Sequence, residues 1–487
     1  WLNGRKVAEV DGEYLGFSLD VSRFLVAGDN LLAIRLTNRC GSDVLPGIAM
    51  PDFLLHGGLA CRVILRKRPA RHFVPESLRI LATDVLSNRP AVRIACELAG
   101  GARTARWTIQ GPHGMNAVRE KPEAEFEISN PALWSPETPA LYTVTGSIEE
   151  NGGEVDRIIR RVGLRSAVFE PGRGFFLNGR RTELRGCNRH ESMPGFGNAM
   201  PENMHTDDAR LLKETGCNFV RLSHYPQHRS FLDACDEQGL MVYAELASWK
   251  SVRTGRWLRR ALRQLDRMVT RDRHRPSIIL WGMGNEARSR KAYIALGGLA
   301  WELDPSRPVT YAENHFHRAV REGTIGIPDV WGCNYELDRL EDGRDASRLK
   351  TTLVSECCNM PTALRGNMVE ELKQVAALEN DLSRLAAIEY NAGSAIWCMN
   401  DYATLRKKRY LRYSGIFDAW RLPKMSRAFL QAMWLNTPFI RVFGDWGMPA
   451  EGGERRPDRE VHVFTNCERV VLALKGREVL SAPGSGH

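Results

Sequence analysis

Between about residue 175 and residue 450 the chain keeps one rhythm: short β-branched or apolar runs alternate with segments whose apolar residues recur at the helical period. Eight such runs can be counted, at 182–188, 218–223, 240–246, 278–285, 308–313, 329–334, 351–356 and 394–399. Strands separated by helices pair in parallel, because a parallel pair needs a crossover too long for a hairpin. Eight parallel strands close into a (β/α)8 barrel. Helices are expected at 206–215, where Thr206 can cap and Asp207 and Asp208 suit the positive end of the helix dipole, and at about 228–238, 257–272, 288–303, 368–390 and 424–435.

The rest of the chain alternates apolar and polar residues at the period of a half-buried strand. Residues 1–70, with runs such as Asn30 to Leu36 broken by Gly, Asp and Asn turns, read as a partial jelly-roll-like β-sandwich. Residues 71–166, with strands expected near Val92–Leu98 and Leu141–Ile148, read as an immunoglobulin-like sandwich. The barrel then occupies 167–450, and Glu460 to Phe464 opens a third sandwich within 451–487. Because Trp1 falls inside a strand pattern and the last sandwich has barely begun, the piece reads as truncated at both ends.

Composition removes several function classes. No run of about 18 apolar residues exists, so no membrane span is expected. The net charge of +10 comes from arginines spread along the chain, whereas a nucleic-acid binder concentrates them on one element among aromatics. The exception is Arg406-Lys407-Lys408-Arg409 with Arg412. Eleven cysteines scattered from Cys40 to Cys467 with no CxxC pair indicate neither a disulfide framework nor a structural zinc site. They favour a reducing, cytoplasmic compartment, although localisation stays unassigned, as does any homo-oligomeric state.

In such a barrel the chemistry sits where the strands end at their C-terminal side. Those ends read Asn188-Arg189-His190-Glu191, Arg221 to Tyr225, Glu245, Gly284-Asn285-Glu286, Glu313-Asn314-His315, Asn334-Tyr335, Glu356, and Trp397 followed by Asp401. Glu286 and Glu356, closing the fourth and seventh strands, supply the two carboxylates that cleavage of a glycosidic bond through an oxocarbenium-like state requires.

Several linked motifs carry a family resemblance. Ser277-Ile278-Ile279-Leu280-Trp281-Gly282-Met283-Gly284-Asn285-Glu286 resembles the acid/base signature of family 2 glycoside hydrolases, the family of β-galactosidases and β-glucuronidases. Asn188 to Pro194, Asn218 to Pro226, Cys235 to Leu240, Leu133 to Pro136 and Gly163-Leu164-Arg165 are similar to that family in order and spacing, and the likeness runs from Asn3 to Asn466. The resemblance implies a retaining exo-acting β-glycosidase in which Glu286 is the general acid/base and Glu356 the nucleophile. Arg221 supports the nucleophile, and Asp52, His190, His224, Asn285, Tyr335 and Trp397 contact the sugar. The substrate is a glycoside or oligosaccharide; no metal and no cofactor is implied.

Departures from the family bear on the sugar. The N-x-K motif with which glucuronidases read a carboxylate before Gly-Ile-Phe is absent, since Arg412-Tyr413-Ser414 precedes Gly415-Ile416-Phe417. Metal-supported β-galactosidases place Glu and His two residues apart after the third strand, where this chain has Glu245 and Ala247. Position 359, a histidine in some galactosidases, is Asn359, and Tyr335 directly follows Asn334. A β-galactoside is the expected substrate; a β-uronide or sulfated sugar held by the basic loop 406–412 is the alternative. A carbohydrate-binding protein on a dead barrel is a third reading, but it has no reason to keep both glutamates.

Overall fold

The structure, a computed structural model, describes all residues except 12, 13, 113, 115, 122, 343–349, 409, 445–459 and 485–487. A closed barrel forms its centre: β1 (Leu184–Arg189), β2 (Phe219–Leu222), β3 (Met241–Glu245), β4 (Ile278–Asn285), β5 (Val309–Glu313), β6 (Val330–Asn334), β7 (Thr351–Cys357) and β8 (Asn391–Ile396). All eight run parallel, and β8 closes on β1 through Leu184 opposite Gly393. Nearly every residue in these strands is buried, as expected of strands covered by helices outside and filled by side chains within. Seven strands lie within about two residues of the sequence reading. The eighth is displaced, because the apolar stretch Trp397–Met399 leaves the ladder and folds into the barrel lip, where Trp397 N donates to the Cys357 carbonyl and Met399 N to that of Asn188.

The helices are α1 (Glu202–Glu214), α2 (Arg229–Gln238), α3 (Gly255–Asp272), α4 (Arg290–Leu303), α5 (Phe316–Arg321), α6 (Leu337–Asp342), α7 (Met368–Ala386) and α8 (Met425–Trp434). Thr206 is not a cap: α1 begins four residues earlier, directly after Pro201, whose fixed φ suits a helix start. Asp208 faces inward and is held by Arg189 at 2.7 Å and Arg421 at 2.8 Å, so it serves the barrel lip and not the helix dipole. The one-turn helices α5 and α6 were not expected.

The second sandwich packs the sheet Arg79–Thr83, Ala91–Ala95, Glu123–Glu127 against the sheet Asn116–Glu120, Arg106–Gln110, Tyr142–Glu150, Gly153–Val162. Val92, Ile94 and Phe126 from one sheet meet Trp107, Ile109 and Val144 from the other in its core. This sandwich is anchored to the barrel by Trp134, fully buried, whose indole donates to the Asp236 carbonyl at 2.8 Å. Lys213 on α1 reaches the Pro136 carbonyl at 3.0 Å, and Arg165 reaches that of Pro276 at 2.6 Å. At the α2 terminus Gly239 takes φ of 75°, and a Cβ there would stand 2.6 Å from the Pro136 carbonyl oxygen.

Residues 1–70 depart from the expected strand pattern. Among the described residues they form one 3-10 turn (Ser22–Phe24) and isolated bridges from Leu2 to Leu32 and to Arg5, but no extended ladder. The alternation in Asn30–Leu36 is real, yet Leu31, Leu32, Ile34 and Leu36 are all exposed, and the run pairs with Trp1–Asn3 only through the bridge of Leu32 to Leu2. After α8, Ile440–Gly444 pairs with Val461–Thr465, and Arg469–Leu474 pairs with Arg477–Pro483, both antiparallel.

Candidate active site

The polar ends of the barrel strands converge on Arg221, at 0% side-chain exposure. Its Nη1 donates to Glu356 Oε1 at 2.7 Å, to Asn188 Oδ1 at 3.2 Å and to the Ser355 carbonyl at 3.2 Å. Its Nη2 donates to Asn285 Oδ1 at 2.9 Å, and its Nε to Glu245 Oε2 at 2.8 Å. A planar five-donor guanidinium is the one side chain able to hold so many acceptors in fixed directions. Glu245 is thereby committed: one oxygen meets Arg221 and the other lies 3.2 Å from His224 Nδ1, which leaves little of the carboxylate for a metal ion. Among the described residues, Cys357, Cys358 and Asp381 are grouped closely enough to hold one, with ligand atoms within 4.8 Å of one another.

Glu356 is gripped from a second side, where Tyr335 donates its hydroxyl to Oε2 at 2.5 Å. Tyr335 sits just past β6 with φ of 63°, and its amide donates to the Glu356 carbonyl at 2.8 Å, so this turn of chain is registered on β7 itself. Glu286 also takes a left-handed φ, 47°, which turns it off the end of β4 towards the same space. One asparagine links the two glutamates' surroundings. Asn334 Nδ2 lies 3.3 Å from Glu286 Oε1 and 3.1 Å from Asn285 Oδ1, while its own oxygen accepts from Ser355 at 2.7 Å. Lys250, beyond β3, places Nζ 2.9 Å from Glu286 Oε2.

Above this floor stands an aromatic wall. Trp397 stacks on His224, with centroids 5.2 Å apart and planes 14° apart, and its Nε1 donates to Tyr402 at 3.2 Å. His190 lies edge-on to Trp397 at 5.3 Å, and its Nε2 is buried without a hydrogen-bond partner among the described residues. Trp397 itself is 3% exposed, so it presents little free surface. Asp52 arrives from the N-terminal segment, where Leu54 N is tied to the Ala403 carbonyl at 2.8 Å. Its carboxylate meets Arg412 at 3.0 Å and Tyr402 at 3.4 Å. Asp52, His190, Arg221, His224, Asn285, Glu286, Tyr335, Glu356 and Trp397 are thus linked by contacts at one end of the barrel, whereas Asp401 pairs with Lys424 and Glu313 with Arg288; Arg409 of the basic loop lies outside the described residues. Unanticipated were the roles of Asn334, Lys250 and Tyr402. Asn334 carried a signal as a strand-terminal polar group, while nothing in the sequence marked the other two.

Burial governs the electrostatics. It pushes the Glu356 carboxyl up to about 7, with Arg221 opposing and Glu286 adding to the rise. Burial likewise lifts Glu245 to about 7 against the pull of Arg221. His190 and His224 are both driven well below the ordinary histidine range by burial and, in second place, by His224 and Arg221 respectively, so both rings are neutral. Burial and the nearby Glu356 raise the Tyr335 hydroxyl well above its usual range, which keeps it a donor. Burial raises Asp52 as well, while Arg412 pulls the other way.

Comparison with known proteins identifies this constellation's setting. Residues 171–439 match the model of the glycosyl hydrolases family 2 TIM barrel domain, and residues 79–165 match that of glycosyl hydrolases family 2. A β-galactosidase of Thermoanaerobacter pseudethanolicus is 29% identical over 507 residues, covering 98% of this chain and 66% of that protein. A β-glucuronidase of Bacteroides fragilis is 27% identical over 352 residues, covering 64% of this chain and 50% of that protein. The crystal structure of a Bacteroides uniformis β-glucuronidase superposes with a TM-score of 0.86 at 24% identity, covering 100% of this chain and 66% of that one, and shares the fold. The chain thus spans less than two thirds of these relatives' lengths. With a family model matching more than half of it, from before β1 to beyond α8, the chain belongs to glycosyl hydrolase family 2.

Proposed function

We propose that the protein is a retaining exo-β-glycosidase. The observation that carries this reading is Glu356, held by Arg221 on one oxygen and Tyr335 on the other, with Glu286 joined to the same network through Asn334 and the Arg221-bound Asn285. In the first step Glu356 attacks the anomeric carbon while protonated Glu286 gives its proton to the glycosidic oxygen, so the aglycone leaves as an alcohol. In the second, the Glu286 carboxylate takes a proton from water, whose oxygen attacks the same carbon and frees Glu356. Asn285 donates to the sugar 2-hydroxyl, and its oxygen is fixed by Arg221 so that its amide is aimed. His190 and His224, as neutral rings, contact sugar hydroxyls, with Trp397 behind them. Asp52, where the N-terminal segment crosses to the Ala403 loop, closes the pocket beyond the sugar, which favours terminal residues over chain interiors.

A neutral sugar, most simply a β-galactoside, suits the mouth because Arg412 is already engaged by the Asp52 carboxylate at 3.0 Å. The uronide reading retains one specific support, the position of that same arginine beside Asp52 and, at 3.4 Å, Asn359. Hydrolysis of 4-nitrophenyl β-glycosides covering galactoside, glucoside, glucuronide, galacturonide, mannoside and fucoside separates the two. Turnover of neutral sugars that is lost in Glu356→Gln supports the first reading. Turnover of uronides alone replaces it with the second, and no turnover of any glycoside by the folded chain overturns both. Retention is tested by azide rescue of Glu286→Ala, where a β-glycosyl azide is expected and an α-azide contradicts the mechanism.

A further inference from the structure

One feature of the pocket has no part in the two-glutamate scheme. Lys250 stands 2.9 Å from Glu286 Oε2, and its ammonium also lies 5.1 Å from the centroid of the Trp249 ring. The Arg406 guanidinium lies 4.7 Å from the centroid of the same ring. Two cations share one indole, and Arg406 makes no ion pair among the described residues. The placement of Lys250 is not that of a loose surface chain. Its backbone takes φ of 54°, and its amide is locked to the Asn285 carbonyl at 2.8 Å, beside the acid/base. Burial raises the Asp52 carboxyl, and the nearby charges of Arg412, Arg406 and Lys250 pull it the other way.

We propose that Lys250 and Arg406, flanking Trp249, form a leaving-group subsite for an anionic aglycone, a sugar or aryl group bearing a carboxylate or a sulfate. The proposal rests on the glycosidase reading, because the group that receives a proton from Glu286 must lie against the Glu286 carboxyl, and Lys250 lies there. Charge-assisted contacts to a carboxylate or sulfate are the strong ones, and a partly exposed lysine and arginine reach them with little rearrangement.

The test uses two glycosides of whichever sugar the chain hydrolyses, one with a 4-nitrophenyl and one with a 3-carboxy-4-nitrophenyl leaving group. The expected result is a kcat/KM preference for the carboxylated substrate of about tenfold at low ionic strength, shrinking as salt is added. Lys250→Gln and Arg406→Gln each reduce that preference severalfold. Arg406→Gln acts through KM, and Arg406→Lys restores part of the effect. A ratio of rates that is indifferent to salt and to both substitutions, with both glycosides turned over, overturns the subsite while leaving the glycosidase intact. Absence of turnover on every sugar removes both readings. The salt dependence of the unsubstituted protein decides the matter even if a variant fails to fold.

Discussion

The foot of the pocket and its mouth are built by opposite means. At the foot, Arg221 and Glu356 are buried, and the side chains that fix them, Asn188, Glu245, Asn285 and Glu356 itself, come from the ends of β1, β3, β4 and β7. At the mouth, Asp52, Lys250, Arg406 and Arg412 come from segments outside the barrel strands: Asp52 meets Arg412, Lys250 meets Glu286, and Arg406 lies on Trp249. The difference teaches where precision resides. A ladder of backbone hydrogen bonds fixes the strand ends, so the Glu356 carboxylate is positioned by the fold, whereas the charges at the mouth sit on segments outside that ladder and can change without disturbing it.

The largest effect expected from breaking this contrast is at the foot. Glu356→Gln should lower kcat by roughly 10^4-fold or more, since in the proposed mechanism no other group replaces it as nucleophile. The same substitution should make the protein more stable. The Glu356 pKa of about 7 lies above its ordinary value of 4.5, so between these the folded state binds more protons than the unfolded one. Stability is therefore lost as pH rises through that window, and the cost of the buried charge is complete above pH 7. Melting curves of Glu356→Gln should show a gain on the order of 1–3 kcal/mol above about pH 7 that fades near pH 5. A gain that does not depend on pH would deny the burial argument.

Arg221→Lys comes next. It keeps one positive charge but not the fork that reaches Asn285, Glu245 and Glu356 together, and kcat should fall by about 10²- to 10³-fold with the fold retained. Tyr335→Phe removes one donor to a carboxylate, costing roughly 10- to 100-fold in kcat/KM. Without that donor the ionised Glu356 is less favoured, so the acidic limb of the pH profile should move to higher pH; movement to lower pH would contradict the assigned geometry. The smallest effect belongs to the mouth. Asp52→Asn should raise KM roughly three- to tenfold and leave kcat nearly unchanged. If it instead costs as much as Tyr335→Phe, the division between foot and mouth does not hold.

The same division decides what could be read from the sequence. The barrel is legible because each strand is a buried apolar run and each run stops at a polar group, so the candidate residues stand out by position; the roles of Glu286, Glu356, Arg221, Asn285 and Tyr335 come from the family resemblance of the motifs that hold them. Lys250 and Tyr402 do not stand out, because their placement depends on how loops return to the barrel, through the Lys250–Asn285 backbone bond and the Tyr402–Trp397 contact, neither of which has a local pattern. The start of α1 was misread because Thr206 has a cap's chemistry, whereas Pro201 sets the turn. In residues 1–70 the described backbone pairs only at isolated bridges, because alternation reports a tendency and a ladder exists only where a partner strand arrives. The basic loop read as one surface feature, yet Arg412 is drawn inward to Asp52 while Arg406 lies on Trp249.

The seat of Trp134 has a consequence for how the molecule comes apart. Its indole on the Asp236 carbonyl, Lys213 on the Pro136 and Gly239 carbonyls, and Arg165 on the Pro276 and Ile278 carbonyls join sandwich to barrel. To part the two, heat must expose an indole and leave donors and carbonyls stranded at the same moment, so the sandwich is not a separable appendage. Calorimetry should register one cooperative transition across residues 79–439, and a protease that nicks the loops of the mouth should leave that transition in place.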